Sequence, residues 1–261
     1  MDRLERFERL RHRFHDGEQL RGGWVSIPHG EVAELTARHD YDFVVVDMEH
    51  APTDVGDLGD LVRGIDAAPG DTVPLVRVPT NDEVVIKRTL DAGVGGLMVP
   101  RIDTAADAEA VVAASTYPPE GIRGTAGTRA SGFGADLPAY LDGADDALTR
   151  IVQVETLAAV ENAADIAAVS GIDALFVGPA DLSVALDVSL DYEAAVFEDA
   201  VEAGVAAADD AGVPVGVFAT DPDRFETWAA RGFDFGIMGY DAGFLRAGNE
   251  RLLSAYDEDW G

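Results

Sequence analysis

Eight short apolar runs alternate with helix-length segments along this chain, and that rhythm limits the available folds more than any other feature. The runs lie at residues 24–27, 43–47, 73–78, 96–99, 151–155, 174–177, 213–218 and 235–238. Most are continuous in Val, Ile, Leu and Phe, as strands buried on both faces of a parallel sheet are. Helical patterns fill the intervals at 31–38, 54–65, 81–91, 104–115, 192–211, 222–231 and 241–256. Asn81 is the expected N-cap of the third of these, and Gly93 its stop. An amphipathic helix within residues 1–20 precedes the first strand, with Leu4, Phe7, Leu10 and Phe14 on one face. The expected fold is α/β, a single (β/α)8 barrel over residues 1–261. An open doubly wound sheet is the alternative. Residues 117–149 break the rhythm and read as a long functional loop with a short helix near 138–141.

Charge narrows the partners. The chain carries 49 acidic and 19 basic side chains, a formal net charge of −30, and Lys87 is its only lysine. Such a surface repels nucleic-acid backbones and anionic lipid heads, so neither is an expected partner. A hydrophobic content of 47% is too high for a disordered acidic chain. An acidic skin around an ordinary core suggests a halophile's cytosol, where concentrated salt screens self-repulsion. The absence of cysteine excludes disulfides and thiolate chemistry. The start of the chain is charged, with no apolar signal core, and no apolar run approaches ~20 residues. A cytoplasmic protein is expected.

In a barrel, every strand ends on the same rim, and polar residues gather there in this sequence. The fifth and sixth runs each end near a carboxylate, Glu155 and Asp181. Hard oxygen ligands suit Mg²⁺ or Mn²⁺, although such residues also cap helices. His50 follows the second run behind Asp47 and Glu49, where an imidazole can act as a base. Arg77 closes an otherwise apolar strand and needs an anion, either Asp47 or a substrate oxyanion. Asp91 is a helical neighbour of Lys87, which permits a surface pair, or it points inward to the imidazole. Gly178-Pro179-Ala180-Asp181 is a tight strand-to-helix turn whose N–H groups can meet an anion. The glycine-rich stretch 121–134 lacks Gly-Lys-Ser/Thr, and no Gly-x-Gly-x-x-Gly opens a helix, so nucleotide-fold motifs are missing.

Taken together, Asp47-Met48-Glu49-His50-Ala51-Pro52, Val76-Arg77, Ile86-Lys87-x-x-Leu90-Asp91-x-Gly93, Tyr117-Pro118-Pro119-x-Gly121-x-Arg123-Gly124, Gln153-Val154-Glu155 and Gly178-Pro179-Ala180-Asp181-Leu182-Ser183 form one pattern. It resembles the class II pyruvate aldolases of the HpcH/HpaI aldolase/citrate lyase family, whose type member cleaves 4-hydroxy-2-oxoheptane-1,7-dioate. The resemblance implies a carbon–carbon lyase that joins pyruvate to an aldehyde, or cleaves 4-hydroxy-2-oxo acids, through a metal-stabilised enolate. It implies Glu155 and Asp181 as ligands of Mg²⁺ or Mn²⁺, with Co²⁺ as a further candidate. Gln153, Gly178, Ala180 and Asp181 would hold the substrate, and Phe218 would face the pyruvate methyl. His50 would be the base, strengthened by Asp91, and Arg77 would stabilise the oxyanion. A homo-oligomer is implied, commonly a hexamer built from dimers that exchange the last helix. The chain departs from the pattern in lacking a tryptophan soon after Arg77 and in a shorter loop ending Gly132-Phe133-Gly134, which leaves the aldehyde open.

Three other reactions compete. An acyl-CoA lyase on a related barrel needs basic groups for the CoA phosphates, in which this chain is poor. Oxaloacetate decarboxylation needs the same enolate stabilisation without an aldehyde pocket. A Schiff-base aldolase would have to use Lys87, placed here on a helix. The charge argument itself is testable: melting temperature is expected to rise steeply with KCl, with loss of structure in dilute buffer. A melting temperature independent of salt would remove the halophilic reading.

Overall fold

The computed structural model describes residues 2–260; Met1 and Gly261, the ends of the expected domain, lie outside the described residues. The chain begins with α1 (Arg3–His15), β1 (Leu20–Val25), α2 (Gly30–Ala37), β2 (Phe43–Asp47), α3 (Leu58–Ala67) and β3 (Val73–Arg77). It continues through α4 (Glu83–Asp91), β4 (Gly96–Val99), α5 (Ala105–Ser115), α6 (Leu137–Gly143) and β5 (Thr149–Val154). Next come α7 (Leu157–Glu161), α8 (Ala163–Ala167), β6 (Ala174–Val177), α9 (Pro179–Ala185) and α10 (Ala195–Ala211). The chain closes with β7 (Val215–Ala219), α11 (Phe225–Ala230), β8 (Phe235–Met238) and α12 (Asp241–Trp260). All eight strands are parallel and close in sequence order, with β1 bonded to both β2 and β8. The fold is the expected (β/α)8 barrel, and the open-sheet alternative falls with the β1–β8 pairing.

Two apolar layers hold it. One lies between strands and helices and includes Val44, Val46, Leu61, Val76, Leu97, Val152 and Leu175. The other fills the barrel itself with Trp24, Phe43, Leu75, Met98, Phe176, Phe235 and Ile237. Phe7, Leu10 and Phe14 of α1 join this inner layer. Phe14 meets Phe235 edge to face at 5.1 Å. A methyl group on Gly22 would sit 2.6 Å from the Phe43 ring, so the glycine there makes room for the aromatic filling. Beneath the barrel, the buried Asp173 carboxylate accepts hydrogen bonds from Arg11 Nε (2.8 Å) and the Arg150 backbone N–H (2.8 Å). His15 Nε2 lies 2.8 Å from the same carboxylate. α1 is thus pinned across the amino-terminal end of the barrel.

Several boundaries differ from the sequence expectation. α1 ends at His15, well short of residue 20, because the chain turns at Gly17 with φ +68°. β1 begins at Leu20, since Arg21, Gly22 and Gly23 pair in the ladder without an apolar signature. The cap of α4 is Asp82, whose carboxylate accepts from the Val84 and Val85 N–H groups. Asn81 instead donates its amide to the Asp107 carbonyl at 3.0 Å. The segment between β5 and β6 breaks at Asn162 into α7 and α8. α10 starts only at Ala195, which leaves Tyr192 in the connection above the barrel. Phe14→Ala is expected to cost about 3 kcal/mol or more, a fully buried aromatic having no space to collapse into. Denaturant unfolding monitored by circular dichroism measures this.

Candidate active site

The carboxyl ends of β1, β2, β3, β5, β6, β7 and β8, with the loops above them, surround a cavity of about 690 Å³. At its floor, β2 and β3 pair so that Asp47 stands beside Arg77. Arg77 Nε donates to Asp47 Oδ1 at 2.9 Å and Nη2 to Oδ2 at 2.8 Å, a two-pronged clamp. Its Nη1 lies 2.8 Å from Glu49 Oε2, an ion pair whose geometry is off the N–H line. The guanidinium also rests 4.7 Å above the Trp24 ring. The anion that Arg77 requires is therefore Asp47, with Glu49 alongside. Asp47 Oδ1 also accepts the Glu49 N–H at 3.0 Å and the His50 N–H at 3.4 Å, shaping the turn that carries both residues. The His50 ring lines the cavity with 68% of its side chain exposed, its Nε2 4.0 Å from Glu49 Oε2.

Glu155 follows β5 and Asp181 sits in the first turn of α9. Gly178 separates them: a methyl group placed on it would be 3.3 Å from Glu155 Oε2 and 3.7 Å from Asp181 Oδ2. Glu155 Oε1 accepts the Arg101 backbone N–H at 2.9 Å, and Oε2 accepts Gln153 Nε2 at 3.2 Å. Burial pushes the Glu155 carboxyl up to about 7, reinforced by the charges of Glu49 and Asp181. Glu49 is likewise raised by burial, against the pull of Arg77 and His50. Such crowding favours a bound cation. Gln153 Oε1 is buried with no hydrogen-bond partner. These oxygens and the hollow at Gly178 fit a hard divalent cation held by Glu155 and Asp181. Among the described residues, no group of three or more His, Cys, Asp or Glu side chains is arranged around a metal position. In α9 the first helical bond runs from Leu182 N–H to the Gly178 carbonyl, so the Ala180 and Asp181 N–H groups stand outside the ladder. Phe218 forms an apolar wall with Trp24 (5.2 Å) and Tyr240 (6.3 Å).

Asp91 is elsewhere. It is the last residue of α4, and helices of the barrel run antiparallel to its strands, so it lies toward the amino-terminal rim. Thr128 Oγ1 donates to it at 3.4 Å, Arg123 and Lys87 are its charged neighbours, and burial raises its carboxyl. Within one chain the structure brings together His50, Arg77, Gln153, Glu155, Gly178, Ala180, Asp181 and Phe218, and leaves Asp91 apart.

A family model described as HpcH/HpaI aldolase/citrate lyase matches residues 21–247. The chain belongs to this family. It is 37% identical over 249 residues to a hydroxypyruvate/pyruvate aldolase of Paraburkholderia phytofirmans, covering 94% of this chain and 95% of that protein. The crystal structure of an HpcH/HpaI aldolase/citrate lyase family protein from Burkholderia cenocepacia superposes with a TM-score of 0.92 at 37% identity, covering 96% of this chain and 99% of that one. The citrate synthase SbnG superposes with a TM-score of 0.84 at 27% identity, covering 95% and 97%. As a member of an aldolase and lyase family, the chain is a carbon–carbon lyase.

In this lyase several residues at the cavity have no role assigned from the sequence. Trp24 supplies the face under Arg77, Glu49 crowds Glu155, and Tyr192 and Arg224 line the outer wall. Glu49 and Trp24 lie at strand ends and so carried a positional signal; Tyr192 and Arg224 sit on loops and carried none. The carboxylate crowding has a measurable consequence. In EDTA, Glu155→Gln is expected to raise the melting temperature by about 2 °C or more, since it removes a buried like charge. The free Gln153 Oε1 can accept the new amide. The same substitution is expected to abolish any further rise on adding Mn²⁺. Scanning calorimetry with and without the metal reads both effects.

Proposed function

We propose that this protein is a class II pyruvate aldolase that cleaves or forms 4-hydroxy-2-oxo acids, with pyruvate as one product and an aldehyde as the other. The observation that carries the reading is the convergence of a mutually repelling carboxylate pair and a clamped guanidinium on one cavity floor. Glu155 and Asp181 would hold Mg²⁺ or Mn²⁺, which when bound polarises the 2-oxo group and offsets charge that develops there. Arg77, immobilised by Asp47 and Trp24, presents its charge to the same oxygen without reorganising. The Ala180 and Asp181 N–H groups and Gln153 orient the substrate carboxylate. Phe218 packs against the three-carbon unit's methyl. His50 takes the proton from the 4-hydroxyl as the C3–C4 bond breaks and its electron pair passes to the enolate, whose C3 then takes up a proton to give pyruvate; synthesis runs the same transfers in reverse.

Asp91 supports His50 in this reading, and because it lies on the far rim of its own chain the pair would form between two copies. The acid–base chemistry would thus be tied to a homo-oligomer, a hexamer built from dimers being what the family resemblance implies. Among the described residues no helix is long and apolar enough to cross a membrane, in keeping with a cytoplasmic aldolase. The likeness to a citrate synthase favours one second reading, the same enolate chemistry with a different carbonyl partner. An acyl-CoA substrate is poorly served, since among the described residues Arg77, His50 and Arg224 are the only basic ones lining the cavity.

The test is pyruvate release from a panel of 4-hydroxy-2-oxo acids in high salt, after EDTA and then after adding Mg²⁺ or Mn²⁺. Release is expected to vanish with EDTA and to return with metal. His50→Ala and Arg77→Ala are each expected to lose on the order of 10²-fold in rate. Release indifferent to EDTA, or near-normal turnover in either variant, would contradict the assignments.

A further inference from the structure

The amino-terminal end of the barrel carries a hollow that no step of the enolate chemistry reaches. Its volume is about 290 Å³, and it lies between α1, the turn that leaves α2, and the chain entering β1 and β3. Arg21 and Val73 on its wall stand at the beginnings of β1 and β3, so it faces away from the catalytic mouth. Five arginines line it, Arg6, Arg9, Arg13, Arg21 and Arg38, against three aspartates, Asp40, Asp42 and Asp71. In a chain with 49 acidic and 19 basic side chains, that excess of guanidinium groups runs against the composition.

Nearby acids use only part of the available donors. Arg13 gives Nε to Glu18 Oε2 (2.6 Å) and Nη1 to Asp42 Oδ1 (2.8 Å), which leaves Nη2. Arg38 gives Nε and Nη2 to Glu34 Oε1 (3.2 and 2.9 Å), which leaves Nη1. Arg6 gives Nη2 to Asp66 Oδ1, while its Nε is buried with no partner. Arg9 Nη2 lies 2.6 Å from Asp71 Oδ2. Arg21 Nε is 3.7 Å from Asp42 Oδ2, beyond hydrogen-bond reach, so among the described residues the Arg21 guanidinium makes no hydrogen bond. On the same wall, the Gly70, Asp71 and Thr72 backbone N–H groups donate to no protein acceptor among the described residues. Asp42, by contrast, is used on both oxygens, Oδ2 accepting the Arg21 backbone N–H at 2.7 Å. The hollow thus holds many open donors and few free acceptors, the reverse of a cation site.

We infer that this hollow binds a phosphate group, free or carried by a small metabolite, at a site separate from the catalytic mouth and independent of the aldolase reading. A tetrahedral dianion accepts several N–H donors at once, and guanidinium forks match pairs of its oxygens. A carboxylate, with two oxygens and one charge, leaves more of these donors unmet. The chain's overall negative field does not prevent binding, because salt at 1 M shrinks the screening length to about 3 Å and leaves contacts inside the hollow to decide. A nucleic-acid backbone, by contrast, extends past the hollow onto the acidic surface. Asp40 lines the hollow without an ion-pair partner among the described residues and opposes the anion. Donors come from α1 as well as from the barrel, so an occupied site ties α1 to the strands it covers and stabilises the fold.

The test is calorimetric titration with inorganic phosphate, pyrophosphate and glycerol 3-phosphate, in concentrated KCl with EDTA. Without metal, the crowded carboxylates of the mouth repel these anions, so that end does not contribute. Saturable binding is expected; tighter binding of glycerol 3-phosphate than of inorganic phosphate points to a phosphate ester as the ligand, and the reverse order to the free ion. Arg21→Gln and Arg38→Gln, at side chains more than half exposed, are each expected to weaken binding about tenfold. Asp40→Asn, which removes the opposing charge and no donor, is expected to tighten it about threefold. With ligand at roughly a hundred times Kd, the wild-type melting temperature is expected to rise by about 5 °C, and by less in Arg21→Gln at the same concentration. Arginines that serve only as partners of the acidic surface would bind none of the probes, and no saturable binding by the wild type overturns the inference. Affinity unchanged within about twofold in both arginine variants overturns it as well, since the anion then sits elsewhere.

Discussion

Three carboxylates, Glu49, Glu155 and Asp181, crowd one mouth of the barrel, and their mutual repulsion organises the site. Barrel closure forces the crowding, because it brings the ends of β2, β5 and β6 to the same mouth. Burial then raises the cost of ionising Glu49 and Glu155. Arg77 offsets part of that charge from one side. The remainder makes the hollow at Gly178 a place where positive charge is stabilised, whether from a cation or a polarised substrate.

The rest of the architecture keeps this arrangement rigid. Arg77 is held along one edge by Asp47, lies beside Glu49 at Nη1 and rests on the face of Trp24, so its charge is fixed before any substrate arrives. Trp24 is supported in turn by Phe218 and by the aromatic filling of the barrel. At the opposite end, α1 seals the barrel through Phe14, with Arg11, His15 and Arg150 converging on Asp173. Stability is concentrated at one end and strained electrostatics at the other, the division of labour usual in barrel enzymes. The outer wall with Tyr192 and Arg224 belongs to loops, where specificity can vary without disturbing the floor.

By itself, the sequence determined the architecture and most of the floor. Strands buried on both faces leave continuous apolar runs, and β2, β4, β6 and β8 lie where those runs predicted. Strand ends in a parallel barrel share one rim, so Arg77, Glu155, Asp181 and His50 could be grouped without coordinates. The pattern was weaker where glycine replaced bulk, as in β1, and where two adjacent polar residues competed for one cap, as with Asn81 and Asp82. Only the tertiary structure decided which charges meet. It gave Arg77 to Asp47 and set Glu49 against Glu155. It also put Asp91 on the far rim and stacked Arg224 on Tyr192. The reason is physical: local sequence governs backbone periodicity, whereas ion pairing and carboxyl shifts depend on distances between elements remote in the chain, and on the burial that closing the barrel creates.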